Sequence, residues 1–236
     1  MTGAPEGRAD RAPASLVQAA QVLRDGAAVV VPNPAPLTHV VVSPRSRTVN
    51  EAKGRPAGQP VALFAHHPDT LRALDDIWDL DPDRRATARW LLVEERLTVL
   101  VPVRTGIELP DWAAPAVKDG WMLLFGARWE PLRPLLDEHP VLYVSSANRT
   151  GRPPAATTAE ALAMFPATVP VLALPEQGPE EPHAATAGTE RRATTTVRLH
   201  PDGRFELHRH GAQDQHHADP EQYLRQLRAR HTRASA

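Results

Sequence analysis

Two short stretches carry most of the side chains that could do chemistry. In Lys53-Gly54-Arg55-Pro56 two cations flank a glycine, just ahead of the apolar run 61–64. Glycine lets a backbone approach an anion closely, and proline ends the turn. Arg55 offers a planar fork to phosphate oxygens, and Lys53 offers a point charge. The chain writes its positive charge almost wholly as arginine: of 27 basic residues only Lys53 and Lys118 are lysines, which singles Lys53 out. The same spacing also fits a solvated basic loop.

The second stretch is Ser145-Ser146-Ala147-Asn148-Arg149-Thr150-Gly151, directly after the apolar run 141–144. Hydroxyl and amide side chains at the C-terminal end of a strand can hold phosphate, ribose or a base edge. Serine, asparagine and glycine also make ordinary turns. Thr194-Thr195-Thr196-Val197 reads first as a β-strand. His208, His210, His216 and His217 cluster late in the chain, but no carboxylate completes a recognisable ligand pattern, and they read as a solvated tail. No metal site is expected. Trp78, Trp90 and Phe125 lie in apolar runs and are expected in the core.

The elements that must position these residues follow from periodicity and punctuation. Ser15 and Gln18 have capping-box spacing and open a helix that Gly26 closes. Buried strands are expected over 27–31, 40–42, 61–64, 97–103, 121–125, 141–144, 169–174 and 194–199. Helices are expected over 48–53, 68–78, 82–92, 131–138 and 157–165. Strands and helices alternate without a crossover helix between every pair. The expected class is therefore α/β: a twisted mixed sheet with helices on both faces. Residues 1–14 read as a disordered leader, 15–207 as one domain, 175–193 as a long loop, and 208–236 as a polar, dispensable tail with a short helix opened by Asp219 and Pro220.

Composition narrows the function. The 236 residues include no cysteine, which excludes disulfides, thiolate catalysis and cysteine-ligated metals. No apolar run approaches the roughly 18 residues that span a bilayer, so no membrane partner is expected and a cytoplasmic location is the default. The net charge of -1 provides no global field for nucleic acid, so any anion site must be local.

Taken in order, these segments resemble the YrdC-like family, which includes the threonylcarbamoyl-AMP synthases. The likeness runs over about residues 15 to 200. It rests on Lys53-Gly54-Arg55-Pro56 for Lys-x-Arg-Pro and on Ser146-Ala147-Asn148-Arg149-Thr150-Gly151 for Ser-Ala-Asn-x-Ser-Gly. Leu97-Thr98 partly matches Pro-Leu-Thr, and Thr194-Thr195-Thr196-Val197 resembles the late Ser-Thr-Ile/Val-Val strand. The resemblance implies a basic concave ligand site and an enzyme that uses ATP, escorted by magnesium, and bicarbonate to make a carbamoyl adenylate with release of pyrophosphate. It further implies that Lys53 and Arg55 hold the ATP phosphates. Ser145, Ser146, Asn148, Thr194 and Thr195 would contact the nucleotide.

The acceptor half departs from that pattern. Pro32-Asn33-Pro34-Ala35-Pro36-Leu37-Thr38 stands where the family has Pro-Thr-Asp-Thr-x-Tyr-Gly, and Gly126 aligns with an arginine for which Arg128 could substitute. Asn33, Thr98 and Arg128 are thus the expected acceptor contacts. The reading is a carbamoyl-adenylate former with an acceptor other than threonine, its product used by an acceptor enzyme. The alternative is a non-catalytic relative that binds nucleotide or double-stranded RNA.

Overall fold

Ser15 caps the first helix through the expected box. Its hydroxyl accepts from the Gln18 amide at 3.3 Å, and the Gln18 side chain accepts from the Ser15 amide at 2.8 Å. Helix α1 (Leu16–Arg24) then buries Ala19, Ala20 and Leu23. The computed structural model describes residues 11–174 and 190–234; the remainder of the expected leader and loop lies outside the described residues. Residues 11–14 correct the expected domain start. Arg11 donates to the carbonyls of Phe165, Pro166 and Val169, and Ala14 bridges to Leu172.

Nine strands form one sheet: β1 (Val29–Val31), β2 (Val40–Ser43), β3 (Ala62–Phe64), β4 (Thr98–Pro102), β5 (Val117–Lys118), β6 (Trp121–Phe125), β7 (Tyr143–Ser146), β8 (Thr196–Leu199) and β9 (Phe205–Arg209). Their order is β1-β2-β7-β3-β6-β4-β8-β9, with β5 paired to β6 alone. β3 with β6 and β4 with β8 are parallel, and the other pairs are antiparallel. The sheet is mixed, as the missing crossover helices require.

Alternation along the strands sends side chains to two cores. Val30, Val41, Leu63, Leu124, Val99 and Val197 pack on one face with α2 (Ser46–Lys53), α4 (Pro82–Val93), α6 (Thr158–Met164) and α7 (Pro220–Ala234). Val31, Val40, Ala62, Phe64, Phe125 and Val144 pack on the other with α1 and α5 (Arg133–Leu136). Helices therefore lie on both faces.

Three expectations shift. The helix expected over 68–78 is α3 (Pro68–Ala73) followed by a 3-10 turn at Leu74–Asp76. The strand expected over 169–174 is reduced to single bridges beside β1 and Ala14, since Pro170 has no amide to pair. The polar tail is part of the domain: Arg209 ends β9, Asp214 is buried, and α7 buries Tyr223, Leu224 and Leu227. Among the described residues no helix is long and apolar enough to cross a membrane.

Candidate functional site

Helix α2 delivers both cations of the first stretch. Gly54 caps it with φ 67°, a left-handed conformation that reverses the chain at low strain, so that Lys53 and Arg55 both reach β7. Lys53 is 4% exposed. Its Nζ donates to the Ser146 carbonyl, to Ser146 Oγ at 3.4 Å and to Asn148 Oδ1 at 2.7 Å. Burial, then the charges of Arg55 and Arg209, push its amine down to about 7. Arg55 Nε donates to Asn50 Oδ1 at 2.6 Å and Nη2 to Ser145 Oγ at 3.3 Å. Asn50 is fully buried and also donates to the Ala57 and Gln59 carbonyls, fixing the loop that carries Arg55.

Two adjoining cavities share Arg55, Gln59 and Ser146. The first, of about 300 Å³, is walled by Asn33, Thr38, Ser145, Thr98, Thr194 and Arg209 over an apolar floor of Val40, Ala62, Phe125 and Val144. The second, of about 320 Å³, is lined by Lys53, Gly54, Asn148, Thr150 and Gly151. Neither described lining contains an Asp or Glu. Three cations, Lys53, Arg55 and Arg209, thus meet in a chain whose net charge is -1. Burial lowers the pKa of both arginines, which is the cost of holding guanidinium groups away from water.

The loop after β1 closes one end of the first cavity. Asn33 Nδ2 donates to the Thr38 carbonyl at 2.8 Å, while its buried Oδ1 has no hydrogen-bond partner among the described residues. Arg191 donates to the carbonyls of Asn33 and Leu37 and pins the loop. Burial, then the charge of Arg191, drives His39 down to about 4, so its imidazole is neutral at pH 7.

Of the residues expected from sequence, Lys53, Arg55, Ser145, Ser146, Asn148, Thr194, Asn33 and Thr98 line the cavities. Thr195 and Arg128 do not. Thr195 lies just ahead of β8, which starts at Thr196 rather than at the expected 194, and its hydroxyl donates to Asp214. Arg128 lies beyond the end of β6, outside both linings. Gly126 faces α4, where a Cβ would overlap the Leu92 backbone, so any side chain there requires that backbone to shift. Sequence reasoning missed Thr38, Asn50 and Arg209. The Asp202-Gly203 pair between two alternating runs was a hairpin signal that would have brought β9 and Arg209 beside β8.

No protein-family model and no curated protein matches the sequence. Solved structures do match. P. abyssi Sua5 in complex with L-threonine superposes with a TM-score of 0.59 at 17% identity, over 83% of this chain and 54% of that one. E. coli YciO gives a TM-score of 0.56 at 14% identity, over 83% and 88%. The chain has a YrdC-like fold. Full-length HypF in its phosphate- and nucleotide-bound form shares this YrdC-like architecture, with a TM-score of 0.58 at 17% identity over 88% of this chain. The chain spans about half the Sua5 chain, 54%, and 31% of the HypF chain.

Proposed function

We propose that this chain binds ATP across the two cavities and joins a carbamate to its adenylyl group. The observation that carries the reading is the meeting of Lys53, Arg55 and Arg209 on adjoining cavities whose described linings contain no carboxylate. Such a site attracts a polyanion and rejects a cation. HypF bound to phosphate and nucleotide, and Sua5 bound to L-threonine, support a nucleotide and a small acceptor in this fold.

The proposed reaction has two steps. An amine adds to bicarbonate with loss of water and gives a carbamate. A carbamate oxygen then attacks the α-phosphorus of ATP, and the bond to the β-phosphate oxygen breaks to release pyrophosphate. No protein nucleophile is needed; positioning and charge neutralisation do the work. Arg55 and Arg209 offer forks to the triphosphate, Lys53 supports the turn at Ser146 and Asn148, and Ser145, Ser146 and Thr194 offer hydroxyls. Magnesium would add positive charge at the phosphates, but the linings offer it no carboxylate, so neutralisation by protein rests on the three cations. Among the described residues no group of three or more His, Cys, Asp or Glu could hold a metal. The reactive product would pass to an acceptor enzyme.

The test is pyrophosphate release from ATP with a panel of amines, with and without bicarbonate. Bicarbonate-dependent release that disappears in Arg55→Ala is expected. ATP binding with no release under any condition would favour the non-catalytic reading instead.

A further inference from the structure

A carboxylate outside both cavities is bonded to residues on either side of the wall that holds Arg209. Asp214 is 6% exposed and follows β9 by five residues in a turn wrapped around the start of β8. Its Oδ1 accepts from Thr195 Oγ1 at 2.5 Å and from the Gly211 amide at 2.7 Å; its Oδ2 lies 2.6 Å from His210 Nδ1. The amides of Gln213 and Asp214 donate back to Thr195 Oγ1 at 3.1 and 3.2 Å, and the Gln213 side chain accepts from the Thr195 amide at 2.8 Å. Gly211 lies against the backbone of residues 193–195 so closely that a Cβ there would overlap it. The knot fixes two neighbours that do line the cavity. Thr194 bonds Thr98 through its hydroxyl, and its carbonyl accepts from Arg209 Nη2 at 3.2 Å.

We propose that Asp214 is a positioning residue for the anion site, setting Arg209 and Thr194 through Thr195 and the turn at residues 210–214. This rests on the reading of the cavities as a polyanion site. The placement of two neighbours just ahead of β8 supplies the physical logic: Thr194 lines the cavity, while the Thr195 hydroxyl turns to Asp214 and is gripped without occupying ligand space. A buried carboxylate with three donors has a single low-energy position, which makes it a better anchor than a surface ion pair. Burial alone would raise the pKa of Asp214, but bonds from Thr195, His210 and Gly211 outweigh it and lower the pKa, so the anchor stays ionised.

The experiment is a double-mutant cycle read by calorimetric titration with inorganic pyrophosphate, using the full chain. Asp214→Asn is expected to weaken binding about tenfold, the scale of one charged contact. In an Arg209→Ala background the same substitution is expected to add less than about twofold, because the charged contact it positions is already gone and only the neutral Thr194 hydroxyl remains to be displaced. Equal losses in both backgrounds, or no loss in either, would overturn the proposal. A second readout does not depend on ligand: the Nη–Hη resonance of the Arg209 guanidinium that donates to the Thr194 carbonyl, assigned by its disappearance in Arg209→Ala. It is expected to be slow to exchange in wild type and broadened or fast in Asp214→Asn. An unchanged resonance overturns the proposal. Failure of wild type to bind pyrophosphate while the resonance responds would overturn the polyanion reading alone.

Discussion

Lys53 Nζ donates to Asn148 Oδ1 at 2.7 Å and to both the carbonyl and the hydroxyl of Ser146, joining the end of α2 to the turn after β7. An ammonium has three hydrogens, and all three have protein acceptors. Lys53 is therefore a tie within the site as well as a charge beside it. An arriving phosphate must share one of these donors.

The pH dependence of this tie has a definite sign. The Lys53 amine is pushed from 10.5 to about 7 in the folded chain, by burial first and by Arg55 and Arg209 after it. Between those values the unfolded chain binds more protons than the folded one, so this group makes stability rise with pH across that window. Anion affinity moves the other way, falling as pH rises through about 7 and the ammonium is lost. Thermal unfolding and pyrophosphate titration at pH 6 to 9.5 would check both. Relative to Lys53→Met, wild type gains stability and loses affinity as pH rises; parallel profiles would refute the assignment.

Gly126 marks a second expected outcome. A Cβ at this position meets the carbonyl, Cα and carbonyl carbon of Leu92, all backbone atoms of α4. Backbone yields less readily than a flexible side chain, so Gly126→Ala should destabilise by about 1–3 kcal/mol, the usual range for overpacking. Denaturant unfolding measures it. Gly126→Arg should be worse and should not add a cation to the cavity. An alanine variant as stable as wild type would mean that α4 shifts freely.

Much of the fold was legible because apolar runs and caps announce themselves. Ser15 with Gln18, Asp81 before α4 and Thr157 before α6 all cap where their spacing predicts. Lys53, Arg55, Ser146 and Asn148 were legible as neighbours on a cavity because their polar side chains sit in two short segments. What was not legible depends on segments far apart in sequence. Thr194 and Thr195 look alike in a β-branched run, and only their distant partners, Thr98 and Arg209 for one and Asp214 for the other, tell which one lines the cavity. Asp214 reads as one more polar residue in a polar tail until Thr195, 19 residues away, is seen to bond it. Asn50 likewise looks like an exposed helix residue until the loop it holds is known.

Truncation after Gly211 should therefore be costly. It removes Asp214 and the whole of α7, whose Tyr223, Leu224 and Leu227 are each no more than 2% exposed. Burying a large apolar side chain contributes about 1.5–3 kcal/mol, and a domain holds only about 5–15 kcal/mol in total. Circular dichroism of the truncated chain should show a broad, lowered transition or none. A sharp transition at the wild-type temperature would restore the expectation of a dispensable tail.

Threonine should be a poor acceptor. Selecting it requires partners for an ammonium, a carboxylate and a hydroxyl. Arg55 and Arg209 could serve a carboxylate, but an ATP triphosphate competes for both. No carboxylate in either described lining can pair an ammonium. The one unpartnered acceptor identified there is Asn33 Oδ1, a neutral carbonyl, and the Asn33 amide nitrogen is already engaged by the Thr38 carbonyl. Pro34 and Pro36 withhold backbone donors, and Leu37 presents an apolar surface. A buried polar group left unpaired costs about 1–3 kcal/mol, enough to favour an acceptor with a less polar body. Incubation with ATP, bicarbonate and L-threonine, followed by mass spectrometry, should yield no threonylcarbamoyl adenylate. Its formation at about 1 per second or faster, the ordinary range for an enzyme, would defeat the prediction. It would mean that Thr38, Thr98 and Thr194 had rebuilt a threonine pocket from hydroxyls.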